Sequence, residues 1–181
     1  MTILLSLILA ANLSDLTVPA VSLAGTDGQT RELKATVAKS RFTVFTFFSR
    51  KCPCVRAHDG VLQKLHSDFA SKGVQFFSVD SESGATIDSD KAEAEKHGYP
   101  MPMLIDADST LAKAMGATFA TTTVIVDAQG HVVYRGGIDS SKHEPDETTK
   151  HWLRDALTAL VDGNSPPVTE PKSLGCYLRL N

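Results

Sequence analysis

Short apolar runs separated by turn-forming residues dominate the first part of the chain. Segments 18–23 and 29–33 flank the turn 25–28, which contains two glycines, and this pattern predicts an N-terminal β-hairpin. Segments 42–48 and 74–80 are dense in β-branched and aromatic residues, which is typical of strands buried on both faces. We therefore expect 42–48 to be a central strand and the hairpin to lie at the edge of the sheet.

A helical pattern separates the two buried strands. Apolar residues recur about every 3.5 positions after the first cysteines, so one helix is predicted from the cysteines to Gly73. A strand, a helix and a second strand in this order require a right-handed parallel crossover. The cysteines should therefore lie at the carboxyl end of a parallel strand, where open α/β sheets carry their functional sites.

The second half of the chain adds further elements around this unit. The fold class predicted is α/β, with a central mixed β-sheet flanked by helices, an N-terminal β-hairpin and an extended C-terminal arm. One domain is expected over 13–163, and the proline-containing arm over 164–181 carries Cys176. The other predicted elements are a helix at 91–97, a strand at 103–106, a helix at 110–115, a hairpin of 122–126 and 131–135, and a helix over 145–162.

The distribution of charge argues against one class of function, whereas the overall composition indicates only a folded protein. The 181 residues suffice for one compact core, and the net charge of −3 arises from both signs scattered along the chain. Because no basic stripe is present in the sequence, nucleic-acid binding is disfavoured.

The first twelve residues form a separate apolar segment. Residues 3–11 have the length of a signal-peptide hydrophobic region but lack a preceding Lys or Arg, and they are too short to cross a bilayer as a helix. We expect an exported, periplasmic protein with a truncated or misassigned start. The alternative is a cytoplasmic protein whose N-terminal segment packs on the domain. No integral membrane span is predicted.

The pair Cys52 and Cys54 gives the strongest chemical signal. The thiolate is the reactive form of cysteine, and the positive end of a helix lowers the pKa of a thiol placed there. Pro53 suits the first helical position, because its fixed φ fits the turn and its missing N–H would have had no partner. The motif is expected on an exposed lip with Ser49. Neighbouring cations should further favour the thiolate; they are Arg50, Lys51 and Arg56.

The residues around this motif resemble a known superfamily. Segment 47–58, Phe-Phe-Ser-Arg-Lys-Cys-Pro-Cys-Val-Arg-Ala-His, is similar to the active-site region of thioredoxin-like proteins. The most similar branch contains the redoxins and the alkyl hydroperoxide reductase/thiol-specific antioxidant-like peroxiredoxins. Segment 127–136 resembles the hairpin of the same family, and 171–176 resembles a Gly-Cys tail of a peroxiredoxin-like subgroup. The resemblance implies a thioredoxin-like fold, with Cys52 as the first, attacking cysteine.

Several positions depart from the patterns of these families. One residue instead of two separates the cysteines, so Cys54 has no strict counterpart. Thr46 stands where thioredoxin has a buried carboxylate. Phe45 and Thr121 stand where peroxiredoxins have a proline and an arginine, although Ser49 could replace their hydroxyl residue. Thr121 also occupies the position of the cis-proline, so a trans peptide bond is predicted there. Weak or no peroxidase activity is therefore predicted.

Two other interpretations of the cysteines fit the pattern. The first is a pair of inert buried thiols, since free cysteine is among the most buried residue types. The second is a thioredoxin-fold copper-binding module, because Cys54 and His58 share one helical face and, with Cys52, offer three soft ligands suited to Cu(I). Otherwise His58 is predicted to be a residue of the helix surface.

The third cysteine determines how a redox reaction would be completed. A disulfide between Cys52 and Cys54 would need a tight, strained turn and would be labile. Cys176 follows Gly175 on a flexible arm, so it either swings to the site as the resolving cysteine or is a spare thiol. We predict a thiol-disulfide oxidoreductase in which Cys52 attacks and then forms a disulfide with Cys54 or Cys176. The partners would be protein thiols or disulfides or a small thiol reductant, and no cofactor is predicted.

Overall fold

The computed structural model describes residues 13–181, so the predicted export segment 1–12 lies outside the described residues. The strands are β1 (Ser22–Gly25), β2 (Thr30–Glu32), β3 (Phe42–Phe48), β4 (Val74–Asp80), β5 (Met103–Ile105), β6 (Thr123–Asp127) and β7 (Val132–Gly136). The helices are α1 (Leu33–Val37), α2 (Pro53–Ala57), α3 (Asp59–Phe69), α4 (Ile87–His97), α5 (Thr110–Met115) and α6 (Trp152–Val161). No helix in this part of the chain is long and apolar enough to cross a membrane.

The seven strands form one mixed sheet in the order β2-β1-β5-β4-β3-β6-β7. Strand β3 lies in the interior of the sheet beside the middle strand β4, parallel to β4 and antiparallel to β6, with Phe45 opposite Phe77 and Val124. The β1–β2 hairpin lies at one edge and the β6–β7 hairpin at the other. This arrangement confirms the predicted mixed α/β sheet, its central strand and its edge hairpin, and it places the residues after β3 at the carboxyl end of a parallel pair.

The two faces of the sheet are covered by different helices, because successive residues of a strand point to opposite faces. Phe45 belongs to the apolar cluster that contains α1 and α5, whereas its neighbour Val44 belongs to the cluster that contains α3 and α6. Helix α6 buries the stripe of Leu153, Ala156, Leu157 and Leu160 on this second face. The core is therefore divided by the sheet, and β3 contributes side chains to both halves.

The single helix predicted after the cysteines is wrong, since the chain breaks it at His58 (φ −105°, ψ 2°) into α2 and α3. The backbone N–H of His58 bonds the carbonyl of Val55, while the ring Nδ1 bonds the carbonyl of Cys54. The side chain thus occupies the acceptor that a continuous helix would give to the backbone N–H. After α3 a 3-10 turn leads to Gly73, whose left-handed φ of 83° ends the helical segment as predicted.

The predicted start of the last helix at 145 is also wrong, because α6 begins at Trp152. Residues 145–151 form a loop in which the Asp146 carboxylate accepts hydrogen bonds from the backbone N–H and the hydroxyl of Thr148. Ser140 and Lys150 exchange two further hydrogen bonds. These local bonds satisfy the backbone without a helix. Conversely, the helix predicted over 91–97 is longer and begins at Ile87, after Thr86 as its N-cap.

Candidate active site

The cysteine motif occupies the turn between β3 and α2. Cys52 is the N-cap residue of α2, with extended backbone angles (φ −90°, ψ 112°), and Pro53 is the first helical residue. Proline fits there because the first N–H groups of a helix have no intrahelical partner. The Val55 N–H donates to the Cys52 carbonyl at 3.1 Å, and the N–H groups of Cys54 and Val55 both interact with the Cys52 sulfur. The local sequence therefore places the first thiol at the positive end of the helix.

Cys176 lies at the same site, as one of the two sequence-based alternatives proposed. The sulfur atoms of Cys52, Cys54 and Cys176 are all within 4.8 Å of one another, and all three thiols are free. The backbone N–H of Cys176 donates to the Cys52 sulfur at 3.4 Å. Cys176 is therefore not remote from the motif in this structure, and each of the three sulfurs is within reach of the other two.

The C-terminal arm is held on the domain by the loop before β6. Cys176 accepts a hydrogen bond from Ala120 N–H at 2.9 Å, and the Thr121 hydroxyl donates to the carbonyl of Leu174 at 3.0 Å. A Cβ atom on Gly175 would overlap the carbonyl oxygen of Ala120, so only glycine allows this approach. Thr121 itself has a left-handed φ of 79°, an unusual backbone conformation for a β-branched residue.

The arm buries the thiols, which corrects the prediction that they lie on an exposed lip. Cys52 is 1% exposed, and Cys54 and Ser49 are also buried, whereas Cys176 is half-buried. The Ser49 hydroxyl donates to Glu82 at 2.9 Å and does not face the sulfurs as a peroxiredoxin-like hydroxyl would. No local pattern in the sequence indicates this cover, because the arm's contacts are between residues more than fifty positions apart.

The three thiols differ in acidity. Burial raises the pKa of Cys52, but hydrogen bonds from the Cys176 thiol and backbone, and from the N–H groups of Val55 and Cys54, bring it below its usual value. Burial and the negative charge on Cys52 raise the pKa of Cys54. The hydrogen bond to Cys52, together with burial, raises the pKa of Cys176 to about 11. Cys52 is thus the thiol most inclined to be a thiolate.

The cations expected to stabilise this thiolate are directed elsewhere. Arg50 pairs with the buried Asp90 at 3.6 Å, and Arg56 pairs with Asp59 and Glu93 at 3.4 and 3.2 Å. The positive charge that opposes the rise in the pKa values of Cys54 and Cys176 belongs to Lys142, in a loop that the sequence did not connect to the site. Backbone donors and Cys176 therefore have the role that had been assigned to neighbouring arginines.

His58 is buried beneath the motif, so its predicted position on the helix surface is wrong. Its Nδ1 lies 2.6 Å from the carbonyl oxygen of Cys54, and its Nε2 lies 3.0 Å from Oδ1 of Asp139. Asp139 is also buried and follows β7 in the chain. Sequence reasoning missed Asp139, because a pair separated by 81 positions leaves no local pattern.

The other flank of the motif carries an acidic cluster, which the sequence also did not reveal. Asp80 ends β4, and Asp90 on α4 is fully buried. Burial and the negative charge of Asp80 raise the pKa of Asp90 to about 7. Glu82 in the same region accepts from Arg179 of the arm at 3.4 Å. At the position where thioredoxin has a buried carboxylate, this chain has Thr46, whose hydroxyl forms a hydrogen bond with that of Thr123 at 3.1 Å.

Among the described residues, the three sulfurs form the one group of three or more potential metal ligands that lie close together. His58 does not belong to it, because both of its ring nitrogens are bonded to Cys54 and Asp139. The ligand set predicted for copper, Cys52 with Cys54 and His58, is therefore not assembled. No peptide bond in the described part of the chain is cis, in agreement with the trans bond predicted at Thr121.

Comparison with known proteins agrees with this fold. Residues 14–151 match the family model described as Redoxin. The chain therefore belongs to the redoxin family, a class of thiol oxidoreductases with a thioredoxin-like fold. No curated protein matches the chain significantly.

Solved structures of the same fold include two uncharacterised bacterial proteins. An uncharacterised conserved protein from Geobacillus kaustophilus is 30% identical, with a TM-score of 0.81, and the match covers 94% of each chain. A hypothetical protein from Sinorhizobium meliloti 1021 is 27% identical, with a TM-score of 0.78, covering 92% of this chain and 94% of that one. Peroxiredoxin Q from Xanthomonas campestris, at 16% identity, shares the fold with a TM-score of 0.60 over 84% of this chain and 96% of its own.

Proposed function

We propose that this chain is a thiol-disulfide oxidoreductase that cycles between three free thiols and a disulfide joining Cys52 to Cys176. The observation that carries the proposal is the contact of Cys176 with the Cys52 sulfur, which combines a hydrogen bond at 3.4 Å with a lowered Cys52 pKa. Cys54 is the alternative partner, since its sulfur is also within 4.8 Å. Cys176 is preferred because a bond across the single residue Pro53 would need a strained turn.

The reaction would proceed by two exchanges. The Cys52 thiolate attacks one sulfur of a client disulfide, and the other client sulfur leaves as a thiolate. Cys176 then loses its proton and attacks the Cys52 sulfur of the mixed disulfide, so that the second client sulfur also leaves. The client disulfide gains two electrons, and Cys52 and Cys176 lose them. A small thiol or a protein dithiol would restore the reduced pair, and the same steps in reverse would oxidise a client.

Access to Cys52 requires movement of the arm in this scheme, because Cys52 is 1% exposed. The clients would be protein thiols or disulfides or small thiols whose sulfur can approach the edge where Cys176 is half-buried. The proposal that the protein is exported to the periplasm depends on the sequence of residues 1–12 alone, and these lie outside the described residues.

Single serine substitutions test the assignment of the nucleophile. Cys52→Ser should abolish exchange with a small disulfide, measured by release of its thiol, whereas Cys54→Ser should retain most of it. Each cysteine variant is the matched control for the others, since all three remove one sulfur from the same cluster. If Cys54→Ser is the more damaging change, Cys52 is not the attacking residue.

Peptide mapping tests the partner of Cys52. The protein would be oxidised mildly, alkylated and digested, and the cross-linked peptides identified by mass spectrometry. A peptide joining Cys176 to Cys52 is expected. A bond confined to Cys52 and Cys54, with alkylated Cys176, would refute the resolving role of Cys176.

Peroxide is expected to be a poor substrate. Phe45 and Thr121 stand where peroxiredoxins have a proline and an arginine, and both are buried in packing contacts here. Stopped-flow mixing with hydrogen peroxide should show slow oxidation of Cys52. A rate typical of dedicated peroxidases would overturn this part of the proposal.

The copper-binding alternative receives no support from the position of His58. If it nevertheless applied, Cu(I) would protect the thiols from alkylation, and mild oxidation would not remove two of them. A free-thiol count before and after oxidation, with and without Cu(I), distinguishes the two functions.

A further inference from the structure

We propose that His58 is a buried imidazolium, held by Asp139, which positions the cysteine turn and stabilises the Cys52 thiolate. The catalytic role of His58 rests on the proposed function, in which the Cys52 thiolate is the attacking group. His58 does not touch a sulfur atom, so it is a positioning residue that acts through the backbone of Cys54 and through its charge.

The hydrogen-bond partners determine the protonation state of the ring. A carbonyl oxygen can only accept, so Nδ1 must donate to Cys54 across the 2.6 Å contact. On the other side, Oδ1 of Asp139 already accepts from the backbone N–H of Ser141 at 2.8 Å, and Nε2 lies 3.0 Å from this same oxygen. An ionised Asp139 carboxylate can only accept, so Nε2 donates as well. A ring that donates from both nitrogens is an imidazolium.

Burial makes this charge effective. His58 and Asp139 have side chains that are 2% and 1% exposed. Burial alone would lower the pKa of His58, but the hydrogen bond and charge of Asp139, the Cys54 carbonyl and the negative charge of Cys52 raise it above the usual value. Electrostatic coupling is mutual, so an imidazolium that is favoured by the Cys52 thiolate favours that thiolate in return.

The ring also determines the backbone geometry of the motif. Its bond to the Cys54 carbonyl replaces the helical bond and ends α2 after a single turn. Helix α2 carries the N–H groups of Cys54 and Val55 that face the Cys52 sulfur. Loss of the ring should therefore weaken two contributions to thiolate stability, the cation and the orientation of these donors.

The other ionisable groups around the site do not replace this cation. Cys54, Cys176 and Lys142 are the groups that interact with the sulfurs besides His58. On the side of Asp139, the phenol of Tyr134 donates to the Gly137 carbonyl, and its pKa is raised by burial and by the Asp139 charge, so it stays neutral. Lys142 is exposed, and its charge is therefore screened by solvent.

The first test observes the protonation of His58 directly. In the reduced, full-length protein, nitrogen NMR of the imidazole should show both ring nitrogens carrying protons at neutral pH and somewhat above it. Asp139→Asn should shift the loss of this proton to lower pH. A neutral tautomer of His58 at neutral pH in the unmodified protein would overturn the proposal.

The second test measures the Cys52 thiolate by its ultraviolet absorbance and by its alkylation rate against pH. His58→Gln and Asp139→Asn should each reduce the thiolate fraction at neutral pH about tenfold, which is one unit of pKa. His143→Gln, at an exposed histidine, is the matched control and should change nothing. The disulfide should also become less oxidising by about 30 mV, the equivalent of a tenfold change for two electrons.

These readouts separate failure of this inference from failure of the proposed function. A Cys52 titration that is unchanged in both folded variants overturns the role of His58, even if disulfide exchange is active. Conversely, a shifted titration without exchange activity in the unmodified protein supports the imidazolium and refutes the proposed function. If His58→Gln does not fold, Asp139→Asn and the NMR measurement still decide the question.

Discussion

The His58–Asp139 and Asp80–Asp90 pairs lie on opposite flanks of the turn that carries Cys52, and both are buried. The first combines a base with an acid, so each partner stabilises the charge of the other. The second combines two acids, and the pKa of Asp90 rises to about 7 because burial and then the negative charge of Asp80 disfavour its ionised form. At neutral pH the first flank therefore holds a charged pair, whereas Asp90 on the second flank is about half protonated.

This difference predicts opposite responses to removal of one partner. A buried ion that loses its counter-charge is strongly destabilising, whereas removal of one of two like charges relieves repulsion. Both pairs nevertheless make stability fall as pH rises, because both native states hold protons that the unfolded chain releases earlier.

The largest effect is expected for Asp139→Leu, which leaves the His58 cation without its partner. The free energy of unfolding at neutral pH should fall by about 3 kcal/mol or more. Urea unfolding measures this loss, and Glu147→Gln, at an exposed carboxylate, is the control. The double variant with His58→Leu should regain part of the stability. A loss from Asp139→Leu no greater than that from the control would show that the pair carries no buried charge.

An intermediate effect is expected for Asp90→Asn, which should flatten the dependence of stability on pH. The carboxyl ionises near its ordinary pKa of 3.8 in the unfolded chain but only at about 7 in the native state, so stability is lost as pH rises between these values. The variant should avoid about 1–3 kcal/mol of this loss. Urea unfolding at a series of pH values checks the slope. Parallel curves for the two proteins would exclude proton uptake by Asp90.

The pH windows of the two flanks should also differ. His58 has an ordinary pKa of 6.5 and a raised native value, so its contribution is complete below 6.5 and is lost as pH rises through the native pKa. In the same unfolding series, His58→Gln should change the slope on the alkaline side of 6.5, whereas Asp90→Asn should change it on the acidic side of 7. If both variants changed the slope of stability against pH equally in the two pH ranges, the two flanks would not differ in their pH dependence.

The smallest effect on stability is expected for Arg179→Gln, which removes the link between the arm and the acidic flank. Arg179 is 61% exposed and its contact with Glu82 is 3.4 Å, so the free energy of unfolding should change by less than about 1 kcal/mol. Alkylation of Cys52 should nevertheless become several-fold faster, because the arm is held less firmly. Lys172→Gln, which lies on the same arm, is the control. Equal alkylation rates would show that Arg179 does not hold the arm closed.

The framework of the fold was predictable from local patterns. Strand β3 and helix α5 have the predicted bounds, because one is a continuous buried run and the other ends at Gly116 in a left-handed conformation. The redoxin resemblance was carried by the segment 47–58, and the family match confirms it. These features depend on neighbouring residues, so the sequence displays them directly.

The environment of the site was not predictable, because it depends on contacts between distant residues. His58 looked like a surface residue, since only the position of Asp139 shows that its ring is buried. Arg50 and Arg56 looked available to the thiols, yet carboxylates on α3 and α4 bind them. Cys176 was a candidate only, and its place against Cys52 follows from backbone bonds between the arm and the loop before β6.

The close approach of Gly175 to Ala120 has a consequence for the rate at which outside molecules reach the thiols. The clearance between arm and loop is so small that a single methyl group at position 175 would separate them. The shielding of Cys52 thus depends on close contact between the main chains of arm and loop, in addition to the side-chain contact of Arg179 with Glu82. Gly175→Ala would move the arm away from the loop and expose Cys52. Bulky reagents that cannot reach this thiol in the native chain would then compete with its clients.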